Sequence, residues 1–452
     1  MTARVRRHLL SQLLCLGRHT LTGVLGTSGR LFCDWSADYR MYSAERIAPE
    51  KLFTPVRQAL TRQLAPGTPL VAAVDDTRLP KSGRKTPGVK YTRDPMGPPF
   101  QVNFIKAQRF LQISMAAPAD QGRTRMIPID FVHAPTPQKP RPKADEQLWQ
   151  QYRETQRRSA LPKVGAERLR ALRTAMDQDR QQERPLWTVV DGGYTNRTFI
   201  KNLPPRTVAV GRIRADAKLY HLPEPTANKP GRHRVYGIRA PTPEDLRQDN
   251  SVPWEHVEIF AAGKQHPFKI KTLAPLRWRS SGQDYALRLI VIAPLGYRLT
   301  KQSRLLYRQP AYLICTDPNA PVQELLQAFV WRWDIEVNFR DEKTLLGVGQ
   351  AQVRHELSVE NVPALAVAAY AMLLTSAIQT YGLTGQPDAL PPPKWRRQKS
   401  PRASTPSLLQ HLRHEMWAHA IRFSGFASAQ PDDTKPQKLD CPIETALFYA
   451  VA

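Results

Sequence analysis

Two short apolar runs constrain this chain most: PLVAAVDDT at 69–77 and PLWTVVDGGYTN at 185–196, each of which ends on carboxylates. A short run of Val, Ala and Leu between turn residues predicts a buried strand. A carboxylate is costly to bury, so a buried strand that ends on one implies a use for it at the strand's end. The expectation is one strand stopping at Asp75 and Asp76 and another stopping at Asp191.

The rest of the chain alternates in kind. Residues 1–65 carry apolar positions at helical spacing, Leu9, Leu10, Leu13, Leu14 and Leu16, then Phe53, Val56, Leu60 and Leu64. These helices either form a small DNA-binding domain or pack on the domain that follows. After Asp76 comes a stretch rich in Gly, Pro and cations, including Lys81, Arg84 and Lys85, and then the strand-like FIKAQRFLQISMAA. Residues 144–179 read as one or two amphipathic helices, while RTVAVGRIRADAKLY, YALRLIVIAPLGY and AYLICT read as strands. From about Pro321 a long helix is expected. The Ala-rich stretch 361–382 is expected as a buried helix and not a membrane span, because it carries Asn361, Pro363, Thr375 and Gln379. Next comes PDALPPPKWRRQKSPRAS, a Pro-rich basic linker with Lys394, Arg396 and Arg397, followed by the helix LLQHLRHEMW.

Lys and Arg number 66 against 39 Asp and Glu, a net charge of +27, so the expected partner is a polyanion, above all nucleic acid. The four cysteines are scattered without a C-x-x-C pair, which argues against structural zinc and fits a reducing compartment, so the cytoplasm is expected. No G-x-x-x-x-G-K-[ST] loop is present.

On the predicted helix WRWDIEVNFRDEK, Arg332, Glu336, Arg340 and Lys343 share one face, with Val330, Trp333 and Val337 on another. Asp334, Asp341 and Glu342 point elsewhere, which singles out Glu336. By spacing alone, Glu336 could equally be the middle of a salt-bridge ladder with Arg332 and Arg340. The strand-end acids favour a site: an acid of the Asp75–Asp76 pair together with Asp191 and Glu336 offers oxygen ligands for Mg²⁺, or Mn²⁺ in its place. Two such ions about 3.5–4 Å apart can drive an in-line phosphoryl displacement without a side-chain nucleophile.

Phe329, Arg332, Glu336 and Lys343 resemble the Y-x2-R-x3-E-x6-K signature of insertion-sequence transposases of the IS-four and IS-seven-oh-one type, with Phe329 in the Tyr position. Asp76 before Thr77 and Asp191 after its apolar run match that family's two aspartates, with Asp75 the fallback for the first. The resemblance spans roughly residues 20–425. It implies a DDE transposase with catalytic and metal-binding residues Asp76, Asp191 and Glu336 and two ions per site. The enzyme would cut element ends and join 3′-hydroxyls to target DNA. The implied fold is α/β: a ribonuclease-H-like catalytic core, a mixed sheet flanked by helices, with a β-rich insertion domain and helical N- and C-terminal regions. The corresponding division is 1–65, 66–215, 216–318 (the insertion), 319–382 (helices carrying the third acid) and 383–452. Implied partners are terminal inverted repeats and target DNA, bound by a homodimer on paired ends of bacterial nucleoid DNA. Expected DNA contacts are Phe329, Arg332, Arg340, Lys343, Lys81, Arg84, Lys85, Lys394, Arg396 and Arg397. Trp278 joins them by location, as a base-stacking residue or simply a buried structural one. Two other readings stand beside this one: a DNA-binding protein of the same fold without catalysis, and a structure-specific nuclease.

Overall fold

A computed structural model describes residues 2–83, 85–94, 97–98, 100–224, 234–282, 285–298, 302–385 and 402–421. Four helices come first: α1 (Thr2–Leu14), α2 (Leu21–Thr27), α3 (Ser36–Ser43) and α4 (Pro49–Thr61). The strands β1 (Leu70–Pro80), β2 (Lys90–Arg93), β3 (Phe104–Ala116) and β4 (Met126–His133) follow. Then come α5 (Glu146–Arg158), α6 (Leu161–Gln178), β5 (Leu186–Val190), α7 (Arg197–Ile200), β6 (Thr207–Arg212) and β7 (Leu219–His221). Further along lie α8 (Pro243–Gln248), β8 (Glu255–Ala261), β9 (Lys264–Trp278), β10 (Leu287–Ile292), β11 (Gly296–Tyr297), β12 (Leu306–Tyr307) and β13 (Ala311–Cys315). The last helices are α9 (Val322–Trp331), α10 (Asp334–Thr344), α11 (Glu356–Tyr381) and α12 (Thr405–Ile421).

Among the described residues, eleven strands join one mixed sheet, ordered β2-β3-β1-β5-β6-β13-β10-β9-β7, with β4 also on β3 and β8 on β9. β1 runs antiparallel to β3 and parallel to β5, and β5 is parallel to β6. An antiparallel meander followed by two parallel strands, with helices on both faces, is consistent with the expected ribonuclease-H-like core. The apolar runs fill it as their composition dictates: Leu70, Ala72, Val74, Leu186 and Val190 face one hydrophobic cluster, and Val71, Ala73, Trp187 and Val189 face another.

Several local expectations change. β1 does not stop at its acids; it continues to Pro80 against β3, so Asp75 and Asp76 lie within a strand and point to opposite faces. The single long helix from Pro321 is two helices. At Arg332 and Trp333 the chain tightens to i→i−3 bonds, with Trp333 N–H on the Val330 carbonyl at 3.3 Å and Glu336 N–H on the Trp333 carbonyl at 3.1 Å. Of the expected apolar face, Val330 at the end of α9 packs against the core, Val337 is half-buried and Trp333 turns outward, 62% exposed, while α10 buries Ile335, Asn338, Phe339, Asp341 and Glu342. The 216–318 segment is β-rich, and its strands continue the main sheet through β13, β10, β9 and β7 while enclosing a small core around Leu246, Leu276 and Leu289.

The N-terminal helices share the main core: Leu9, Leu13, Met41, Phe53 and Leu60 cluster with Ala364–Leu374 of α11. Helix α11 is long and apolar enough to cross a membrane, but its most apolar window is 83% buried inside the protein.

Candidate active site

The register of the sheet decides which acids meet. Asp75 is paired with Gln112 on β3 and Asp76 with Leu111. Directly opposed residues of an antiparallel pair share a face. Gln112 donates to Ser114 Oγ at 3.1 Å, and Ser114 in turn accepts from Asn338 of α10 at 3.2 Å, so Asp75 is on the α10 face. Asp76 is on the other, where the Tyr194 hydroxyl donates to its Oδ1 at 3.4 Å.

On the α10 face one guanidinium spans the gap between sheet and helix. Arg332 Nη1 is 3.2 Å from Asp75 Oδ2, and Nη2 is 3.7 Å from Glu336 Oε1. The Arg332 guanidinium sits over the Phe329 ring, 5.8 Å from its centroid, so Phe329 holds Arg332 in place. Asp191 follows β5 in a tight turn in which its Oδ1 accepts from Gly193 N–H at 2.8 Å and Tyr194 N–H at 3.3 Å. Glycine suits position 193 because a Cβ there would stand 3.1 Å from that same oxygen.

The acids feel one another. Burial, opposed by Arg332 and reinforced by the charge of Asp191, pushes the Asp75 carboxyl up to about 7. Burial also raises Asp76, against the pull of Arg78 and Arg109 and with a further push from Asp191. Glu336 is raised by burial, with Arg332 lowering it and Asp191 raising it. Asp191 is therefore the common neighbour of the other three. Such crowding of half-buried carboxylates is the electrostatic condition that a bound cation relieves.

In donor type the cluster fits a hard divalent ion: carboxylate oxygens and a surplus of negative charge. In spacing it is incomplete, because among the described residues no group of three His, Cys, Asp or Glu lies close enough to hold a metal, and Arg332 stands between Asp75 and Glu336.

The remaining expected residues divide. Lys343 is half-buried over the Phe339 ring, with burial lowering its pKa and Glu342 raising it. Arg340 is exposed and pairs with Asp341 at 2.9 Å. Lys85 is exposed. Lys81 is 5% exposed, and its ammonium donates to the Gly349 and Ala351 carbonyls at 2.7 Å each, which leaves it little surface to offer a phosphate. Trp278 packs partly buried between two apolar clusters, as a structural residue does. Arg84, Lys394, Arg396 and Arg397 lie outside the described residues. Asp334 and Asp341 turn from the site as expected, to Arg402 and to Arg340 and Thr405. Glu342 is buried, and its carboxyl is raised to about 8 by burial, with Gln112 lowering it. Tyr194 and the Arg78–Arg109 pair, which border Asp76, went unremarked in the sequence; the aromatic three residues after Asp191 was the available signal for Tyr194.

No curated protein matches the chain. The family model described as DDE superfamily endonuclease matches residues 1–280, a stretch that contains Asp75, Asp76 and Asp191 and ends before α9 and Glu336. With more than half of its length matched, and with Asp75, Asp76 and Asp191 on or just after two adjacent interior strands of a mixed sheet, the chain belongs to the DDE superfamily endonucleases.

Proposed function

We propose that the protein is an insertion-sequence transposase that cuts the ends of its element and joins the 3′-hydroxyls to target DNA. In this reading Asp75, Asp191 and Glu336 are the acid set, with Asp76 a neighbour on the opposite face. The observation that carries it is Arg332, whose guanidinium bridges Asp75 and Glu336 and marks them as two walls of one space. Asp191 completes that space, its charge acting on both. Mg²⁺ or Mn²⁺ bound there as a pair would supply an activated water or 3′-hydroxyl and offset the charge on the leaving oxygen.

The chain's own residues do the rest. Asp191 is held rigid by its turn, Phe329 keeps Arg332 at the site, and Arg332 is placed to meet a phosphate once the acids have taken up cations. Lys343, about two turns beyond Glu336 on α10, extends the cationic track, and inverted repeats bound by a homodimer on paired ends are the substrate this arrangement suits.

A second reading, a DNA-binding protein that does not cut, is favoured by the incomplete spacing of the acids. Labelled element-end DNA with Mg²⁺ or Mn²⁺ separates the two. The transposase reading predicts cleavage by the wild type, loss of it in Asp75→Asn, and retained cleavage in Asp76→Asn. A wild-type protein that binds ends and never cuts with either ion contradicts it.

A further inference from the structure

The β2–β3 hairpin carries a surface that the acid cluster does not explain. Its register pairs Tyr91 with Lys106 and Arg93 with Phe104. Opposed residues share a face, and residues two apart on a strand do too, so these four side chains form one patch in which each aromatic stands across from a cation. Thr92 and Ile105 occupy the reverse, half-buried face. Tyr91 is 69% exposed and Phe104 66%, and Phe100 and Val102 beyond them are 88% and 58% exposed. Four large apolar side chains left in water on one short hairpin are more than scattered surface residues.

The position is as informative as the composition. Lys106 and Phe104 lie on the same face of β3 as Gln112, the register partner of Asp75. Between Gln112 and Phe104 the strand covers about 26 Å at ~3.3 Å per residue. Lys343, in the last turn of α10, feels the charge of Asp94, just past β2, more weakly than that of Glu342. Lys106 itself reaches back to the Ser82 carbonyl at 3.5 Å.

We propose that Tyr91, Arg93, Phe104 and Lys106 form a platform for unpaired DNA bases at the far end of β3 from the acids. This rests on the DNA-cutting reading and adds a ligand form to it. Aromatic faces stack on any base, but only when the base is out of its pair, while the alternating cations hold the phosphates that follow. Tyr91 and Phe104 are diagonal neighbours, about 7–8 Å apart at the backbone, a separation a stretched single strand can bridge between successive bases. The protein's net charge of +27 matches a polyanion and not an apolar peptide.

The test uses the full-length protein, a fluorescent single strand of about 12 nucleotides and a duplex of equal length. The double variant Tyr91→Ala/Phe104→Ala should bind the single strand at least ~30-fold more weakly and the duplex as the wild type does. Tyr91→Phe should keep wild-type affinity, and Arg93→Ala should flatten the single-strand salt dependence by about 0.7 in the log–log slope. Unchanged single-strand binding by the double variant overturns the platform while intact duplex binding leaves the endonuclease reading in place. Equal loss on both DNA forms would make the patch a duplex contact, and loss of self-association in sedimentation would make it an interface between copies; either overturns the proposal. A wild type that binds neither DNA overturns both this inference and the reading beneath it.

Discussion

Replacing Asp75 by Asn should make the metal-free protein more stable at pH 8 while removing its activity. Burial and the Asp191 charge raise this carboxyl from 3.8 to about 7, even with Arg332 beside it. Because the folded pKa lies above the unfolded one, the folded state holds the proton more tightly. Stability is therefore highest below about pH 4 and falls as pH rises from there through about 7. At ~1.4 kcal/mol per pH unit the full penalty is on the order of 4 kcal/mol. Asn keeps the amide contact that Asp75 Oδ1 makes with the Asp76 N–H at 2.8 Å, but weakens the link to Arg332 at 3.2 Å. A net gain of about 2 kcal/mol at pH 8 is expected, shrinking toward zero at pH 4. Urea unfolding of both proteins in EDTA at the two pH values measures it. An Asn variant no more stable than wild type at pH 8, or equally stabilised at both pH values, would refute the claim that Asp75 is ionised at a cost.

Two further outcomes follow from the cations. Lys343→Ala should weaken binding to element ends and reduce the salt dependence by about one phosphate in the log–log slope, seen by titrating labelled DNA at several salt concentrations. Lys81→Met should leave that slope unchanged and instead destabilise the fold by about 2 kcal/mol in urea, because two inward carbonyls lose their donor.

Composition made the central strands legible: LVAAV and LWTVV are apolar on both faces, as a strand covered on both sides must be. Composition could not say which of two adjacent acids faces α10, since that depends on strand register, and a one-residue difference reverses the face. Asp76 fitted the sequence pattern, whereas Arg332 and Gln112 place Asp75 with Glu336. The break at Arg332–Trp333 has no Gly or Pro to announce it, so α9 and α10 read as one helix. β9 was hidden by Pro267, Pro275 and its many cations, although its neighbours β10 and β13 were plain. Lys81 looked like one more cation in a basic loop, and only tertiary packing against Gly349 and Ala351 reveals its inward turn.

The most direct test of the DNA-cutting site is single-turnover cleavage of labelled end-bearing DNA by Glu336→Gln beside wild type, with Mn²⁺ present and both proteins at matched DNA occupancy. Glu336 is the acid that the family match does not reach, and its link to the sheet runs through Arg332. The variant should bind fully and cleave nothing. Cleavage at the wild-type rate would remove Glu336 from the acid set and return it to a surface ion pair with Arg332.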